Sequence, residues 1–496
     1  MSFISAARRA VREAPSPISF RSALRDSPAL PDDARHVIDR LTFGSTKALR
    51  DELAADGADA FIRRQLDPAS IGDGECDEEL ARFSRLYKGG AKLISDGDSQ
   101  WEVQNELLGM TVVRSVRSRR QLLELMVDFW SNHLSVNSSK HQVAFLLADD
   151  NTVTRRLALG RFDQLLMASA ASPSMLAFLD NRTSRADGVR PPNENYAREL
   201  LEIHTLGQAD AFSEADVEAV AHVFTGWTTD PNSREFVFRG DWNRLGPAAS
   251  RETLGWSPVA ADGNRENGTS LLSHLARHPT TARNLCHKLC RHFIRDDIGA
   301  SDDAVARVAE AYLASDTDIA ATLATLFATD AFRSSAGARV RRPNELIYAM
   351  LRATDARMYY DEGVQRFSRK IREEFMRLGM VTFESPSPKG YPFEDRAWTD
   401  ASSLIGRWNL AFRVAANRAD GARVDFGDLA VEETTAGAFV DEICGRLLGT
   451  TLPSEEREHL LVHLGAREDS AVDGRMRKRV PALIGLTLAS PSFQVR

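Results

Sequence analysis

Apolar residues recur along most of this chain at the three- and four-residue spacing of an amphipathic helix, and seldom at the two-residue spacing of a strand. Leu122, Met126, Phe129 and His133 fall at i, i+4, i+7 and i+11, one apolar stripe that ends in a histidine. Val217, Val220, Ala221 and Phe224 form another, opened by Ser213 with Asp216 three residues on, the pattern of a capping box, and closed at Gly226. The pattern predicts helices over Asp32 to Asp67 with a break near Gly57, over Gln100 to Asp149, and over Thr152 to Leu179 with Pro173 as punctuation. It continues with His278 to Phe293, Asp302 to Ala328, Pro343 to Ala353, Thr399 to Ala415 and two C-terminal helices. Arg234 to Phe238 is the best strand candidate, and it is short. Two stretches escape the helical period. Thr228 to Gly268 is rich in Gly, Pro, Asn and Asp, and long loops of this kind tend to be functional. Ser385 to Pro392 carries three prolines and a glycine, which restrict its backbone. The expectation is an all-α fold: a single large helical domain over residues 31–496 with two long ordered loops and little or no β structure, behind a basic tail over residues 1–30.

Asn193 to Gly207 is the segment richest in candidate chemistry. Read as one regular helix ending at Gly207, it puts Asn195, Glu199 and Glu202 on one face at i, i+4 and i+7. Arg198 and Thr205 flank that face on one side, Tyr196 and Ile203 on the other, and Ala197, Leu200, Leu201 and His204 lie opposite. Carboxylates on adjacent turns are how helical metalloproteins present oxygen ligands. A solvated polar face has the same pattern, and so does a buried network with Arg198–Glu202 and Asn195–Glu199 contacts.

Composition narrows the function. With 43% hydrophobic and 27% charged residues the chain is that of a soluble globular protein, and its net charge of -7 argues against a nucleic-acid partner. No apolar run is long enough to span a bilayer. Arg8-Arg9 near the start is followed at once by Ala-Val-Arg-Glu rather than an apolar stretch, so the tail reads as non-cleaved and the protein as cytoplasmic. Arg114 to Arg120 reads as a solvated helix start. Four cysteines, Cys76, Cys286, Cys290 and Cys444, are too few for a disulfide framework and read as buried thiols. No phosphate-binding glycine loop, nucleophile elbow or haem-attachment motif occurs, so no nucleotide cofactor is expected. Asp149-Asp150 lacks the third carboxylate of an isoprenoid-diphosphate metal site, since Val153 and Thr154 stand there.

Several separated motifs together resemble a large bacterial family catalogued as a domain of unknown function, number eighteen hundred. They are Phe129-Trp-Ser-Asn-His133, Asn193 to Gly207, Asp216 to Trp227, His278-Pro-Thr-Thr-Ala-Arg283 with Lys288-Leu289, and Arg342-Pro-Asn-Glu345. The Pro386 to Pro392 loop with Trp398 and Arg407, and Ser490-Pro-Ser-Phe-Gln494, complete the match, which covers nearly the whole chain. Relatives tend to look exported and to carry a His-Asp-x-Gly-x-Lys element after the Thr-Gly-Trp motif. The comparable stretch here, Gly240 to Gly246, has neither the histidine nor the lysine, which implies an altered or lost activity if that element binds a ligand.

The expected function is an enzyme acting on a small organic molecule, a metal-dependent hydrolase or oxidoreductase working through a His/Glu pocket. His133, Glu199, Glu202 and His278 are the expected catalytic residues, and His133, Glu199 and Glu202 would hold a divalent metal ion. Asn132, Asn195, Arg198, Arg283, Lys389, Trp398 and Arg407 are the expected substrate-binding residues, the last three as a lid or pocket wall. His204 reads as a core histidine and Asp216 as a helix cap. The alternative is a non-catalytic binding or assembly protein.

Overall fold

Helices form where the periodic stripes lie. The computed structural model describes residues 32–186, 188, 191–207, 210–419, 421–425 and 435–496; the tail over residues 1–30 lies outside the described residues. Leu122, Met126 and Phe129 are fully buried and His133 nearly so, on a helix over Gln121–His133. The first amphipathic pair is Lys47–Asp56 and Ala58–Leu66, separated at Gly57, whose φ of 78° ends one helix and starts the next. Pro279–Phe293, Pro343–Ala353 and Ala401–Ala415 stand within two residues of their expected limits, the first two with proline at the first helical position. Ser213 caps the Glu214–Val223 helix with Asp216 completing the box.

Only two two-stranded antiparallel sheets accompany the helices among the described residues. One pairs Trp227–Thr229 with Phe236–Phe238, so the strand read at Arg234 to Phe238 exists and its partner is the end of the Thr-Gly-Trp motif. The excursion from Thr228 to Gly268 is therefore more ordered than a loop: it holds this hairpin, a 3-10 turn at Gly240–Trp242 and a short helix at Gly246–Ala249. The C-terminal region is also more divided than two helices. It contains Ala436–Leu448, Ser454–Leu464 and Val480–Ala489, with short turns at Gly474–Arg477 and Pro491–Gln494.

One contiguous apolar cluster runs from Ala34 to Phe493. The largest packings are Ala401–Ala415 on Val480–Ala489, Val364–Arg377 on Gln100–Arg117, and Pro279–Phe293 on Asp303–Ala314. All four cysteines are buried free thiols. No helix of the described residues is long and apolar enough to cross a membrane.

Beneath the Arg342 motif lies a dense set of buried charges. Arg342 binds Asp128 and lies 3.1 Å from Glu345, and Arg496 lies 3.2 Å from the same Glu345. Arg407 belongs to this set, not to a pocket wall: it is 2% exposed and donates to Gln494 Oε1 at 3.2 Å and to the Arg341 carbonyl at 2.8 Å. Its bonds hold the C-terminal residues.

Candidate functional site

The Asn193 to Gly207 segment is not one regular helix. Asn195–Glu199 is α-helical, and Leu200–His204 widens into a π-helical turn. Such a turn shifts the hydrogen-bond register and leaves carbonyls without amide partners; these turns recur at functional sites. Here side chains supply the donors. Thr205 Oγ1 donates to the Leu200 carbonyl at 2.7 Å, and Lys288 Nζ to the Ile203 carbonyl at 3.0 Å. Asn284 Nδ2 donates to the Thr205 carbonyl at 2.7 Å. Gly207 closes the turn at φ 79°, and a Cβ there would lie 2.3 Å from the Asn284 carboxamide.

His133 meets this turn from the neighbouring helix. Its Nε2 is 3.2 Å from the His204 carbonyl, which can only accept, so Nε2 carries the proton. Nδ1 then presents a lone pair to Lys288 Nζ, 3.4 Å away. Burial, then the Lys288 charge, hold the His133 imidazole far below its ordinary pKa, so it is neutral. Burial, followed by the charges of Arg291 and Lys389, brings Lys288 down to about 8.

The polar face of the segment lies under the proline-rich loop. Lys389 Nζ is 2.8 Å from Glu202 Oε1, and this bond raises the lysine pKa. Asn132 fixes the loop from below: it donates to the Tyr391 carbonyl at 3.0 Å and accepts from the Tyr391 amide at 2.7 Å. Gly390, at φ 75°, sits so close that a Cβ would fall 2.3 Å from the Asn132 carbonyl oxygen. Glu199, one turn before Glu202, has a buried Oε2 without a hydrogen-bond partner. Burial first, and the neighbouring Glu202 second, raise its pKa.

Of the expected residues, the structure thus gathers His133, Asn132, Glu199, Glu202 and Lys389 into one neighbourhood. His278 is not in it. Its side chain caps the Pro279–Phe293 helix, Nδ1 accepting from the Thr280 amide at 3.2 Å, ten residues or about 15 Å of helix axis from Lys288. Arg283 is exposed on that helix. Asn195 is exposed, and Arg198 pairs with Glu214 at 2.7 Å and Glu194 at 3.2 Å rather than with Glu202. Trp398 is buried against the proline-rich loop, its indole donating to the Pro392 carbonyl at 3.1 Å. Among the described residues, no three His, Cys, Asp or Glu side chains come together as a set able to hold a metal ion. His133, Glu199 and Glu202 accordingly do not form the expected ligand triad, and both ring nitrogens of His133 are engaged.

Lys288 is the member that the candidate set lacked. Its signal was in the sequence: Thr281, Leu285, Lys288 and His292 fall at i, i+4, i+7 and i+11, and the other three are buried. A lysine on a buried stripe needs a partner to hold it there.

Two other stretches singled out in the sequence make structural contacts. In the stretch Gly240 to Gly246, Asn243 is fully buried and its amide donates to the Val223 and Thr225 carbonyls at 3.2 and 3.0 Å, so this element pins the excursion to the end of the Glu214–Val223 helix. A cavity there is bounded by Pro191, Glu194, His222 and Arg244, with no residue of the proline-rich loop in its lining. Asp150 accepts from the Ser172 hydroxyl and the Ser174 amide at 2.7 and 2.9 Å, a helix-start contact.

A helical protein with a polar centre built on a π-turn is the class that fold and site define. The chain belongs to the family described as Protein of unknown function (DUF1800), which matches residues 36–495. No curated protein and no solved structure matches it.

Proposed function

We propose that this protein is an enzyme acting on a small organic molecule by general acid–base chemistry, with Glu199 as the proton-transferring group. One observation carries the reading: the Oε2 atom of Glu199 is buried without a partner, beside a second carboxylate. A carboxyl held in that state resists ionisation, and a raised pKa is what a proton donor and acceptor near neutral pH requires. Hydrolysis and proton abstraction ahead of an oxidation both call for such a group. The Lys389–Glu202 pair would open for substrate to reach Glu199, and Lys288 with His133 positions the π-turn that carries Glu202 and directly follows Glu199.

Glu199 and Glu202 are also the hard oxygen donors a divalent cation takes. His133 would have to give up its bonds to Lys288 and the His204 carbonyl to join them. Screening the purified protein against ester, amide, phosphoester and alcohol substrates tests the proposal, together with metal analysis. The expected result is an activity abolished in Glu199→Gln while folding is retained. An activity that Glu199→Gln leaves intact overturns the role of Glu199. Stoichiometric metal lost in both Glu199→Gln and Glu202→Gln favours the metal-dependent form.

A non-catalytic reading draws on a separate observation: Lys288, Asn284 and Thr205 satisfy the carbonyls of the π-turn, as a network fixing helix order would. That reading expects Lys288→Met to unfold the region and Glu199→Gln to affect no reaction.

A further inference from the structure

A cleft of about 550 Å³ lies away from Glu199, where the Gly74–Leu80, Gln100–Arg117, Gln121–His133 and Val143–Leu157 helices converge. Four arginines line it: Arg114, Arg120, Arg155 and Arg156. Among the described residues, the Arg114 guanidinium has no hydrogen bond or ion pair. Arg155 binds Glu124 through one terminal nitrogen, and its Nε is buried without a partner. Arg120 uses only its Nε, on the Ile71 carbonyl at 2.9 Å. Three carboxylates also line the cleft, one fewer than the arginines. Glu124 is taken by Arg155, Asp73 accepts from the Ser118 hydroxyl and the Arg119 amide at 2.6 and 2.8 Å, and Asp77 is exposed. Leu66, Leu80, Leu123 and Leu159 supply an apolar wall.

We propose that this cleft binds a small organic anion, with a phosphate or carboxylate head on Arg114 and Arg155 and an apolar body on the leucines. Planar guanidinium groups offer paired N–H donors that match either head group, and burial makes an unmet donor costly. The volume is that of a small-molecule site. Burial and the nearby Arg155 charge depress the Arg114 pKa to about 10, a like-charge contact that a bound anion would relieve. The charged run at Arg114 to Arg120, read as a solvated helix start, spans a helix end and the next helix start, and Arg114, in the last turn of the Gln100–Arg117 helix, turns into the cleft.

Calorimetric titration with phenyl phosphate and with benzoate, at constant ionic strength, tests the site; phenol is the uncharged control. Saturable binding of at least one of the two anions is expected, phenol binding much more weakly. Which anion binds more tightly identifies the head group. Arg114→Met should weaken binding by about tenfold or more, the worth of a charge-assisted hydrogen bond. Arg156→Gln, at the exposed rim, should weaken it less without disturbing the fold, and decides the matter if Arg114→Met does not fold. Failure of both anions to bind at millimolar concentration overturns the proposal. So does binding by the folded Arg114→Met protein equal to wild type, or phenol binding as well as the anions. If only Arg156→Gln folds, binding equal to wild type by that variant overturns it as well.

Discussion

Lys389 Nζ stands 2.8 Å from Glu202 Oε1, a bond between residues 187 apart in sequence that ties the proline-rich loop to the π-turn. Both ends are solvent-accessible, 66% for the lysine and 34% for the glutamate, so its worth to stability is about 0–1 kcal/mol. Lys389→Gln should leave the thermal midpoint nearly unchanged while hydrogen exchange and proteolytic cleavage over residues 385–392 speed up. Unchanged exchange there would mean that Asn132, Asn137 and Trp398 hold the loop without the ion pair.

Glu199→Gln separates catalysis from architecture. The folded-state pKa of Glu199 is raised, so its contribution favours folding below the unfolded value and turns unfavourable as pH rises through the folded one. At neutral pH the charged form is the costly one, and the glutamine should match or exceed wild-type thermal stability. A clear loss of stability at pH 7 would place Glu199 in an ion network instead.

Acid should destabilise the fold through its histidines. Burial lowers the pKa of His133 and His292 far below the usual value, and that of His204 to about 3. Their neutral forms are the folded ones. The stability they contribute is complete above an unfolded pKa of about 6.5 and is lost as pH falls from there towards the folded values. Thermal midpoints measured from pH 7 down to pH 4 should fall steadily, and His204→Phe should flatten that slope.

Glu345→Gln should be the most damaging of these substitutions. Glu345 is 1% exposed and serves both Arg342 and Arg496, at 3.1 and 3.2 Å. Removing its charge takes the carboxylate partner from buried Arg496 and leaves Arg342 with Asp128, at a cost of about 3–5 kcal/mol. Urea unfolding measures it; a loss below about 1 kcal/mol would show that Asp128 and the remaining partners suffice.

The helices themselves were legible because their cause is local. Amphipathic spacing, a serine cap at Ser213, proline at the start of the Pro279 and Pro343 helices and glycine at Gly57 act within a turn or two. The polar face of Glu199 and Glu202 was legible for the same reason, and so was the inward stripe ending at His133.

The sequence alone determined a mostly helical chain of this family and the segments that carry its unusual polar residues. Tertiary structure decided which of them meet. The π-turn at Leu200–His204 is set by donors from elsewhere, Lys288 and Asn284, and no local pattern encodes it. His278 and Arg407 stand in equally distinctive motifs, yet one caps a helix and the other braces the C-terminal residues, because a side chain's partners depend on which elements pack beside it. Residues 133, 199, 288 and 389 come together only when four separate segments do, and the free energy that joins those segments is spread over the whole apolar core rather than written at any of the four positions.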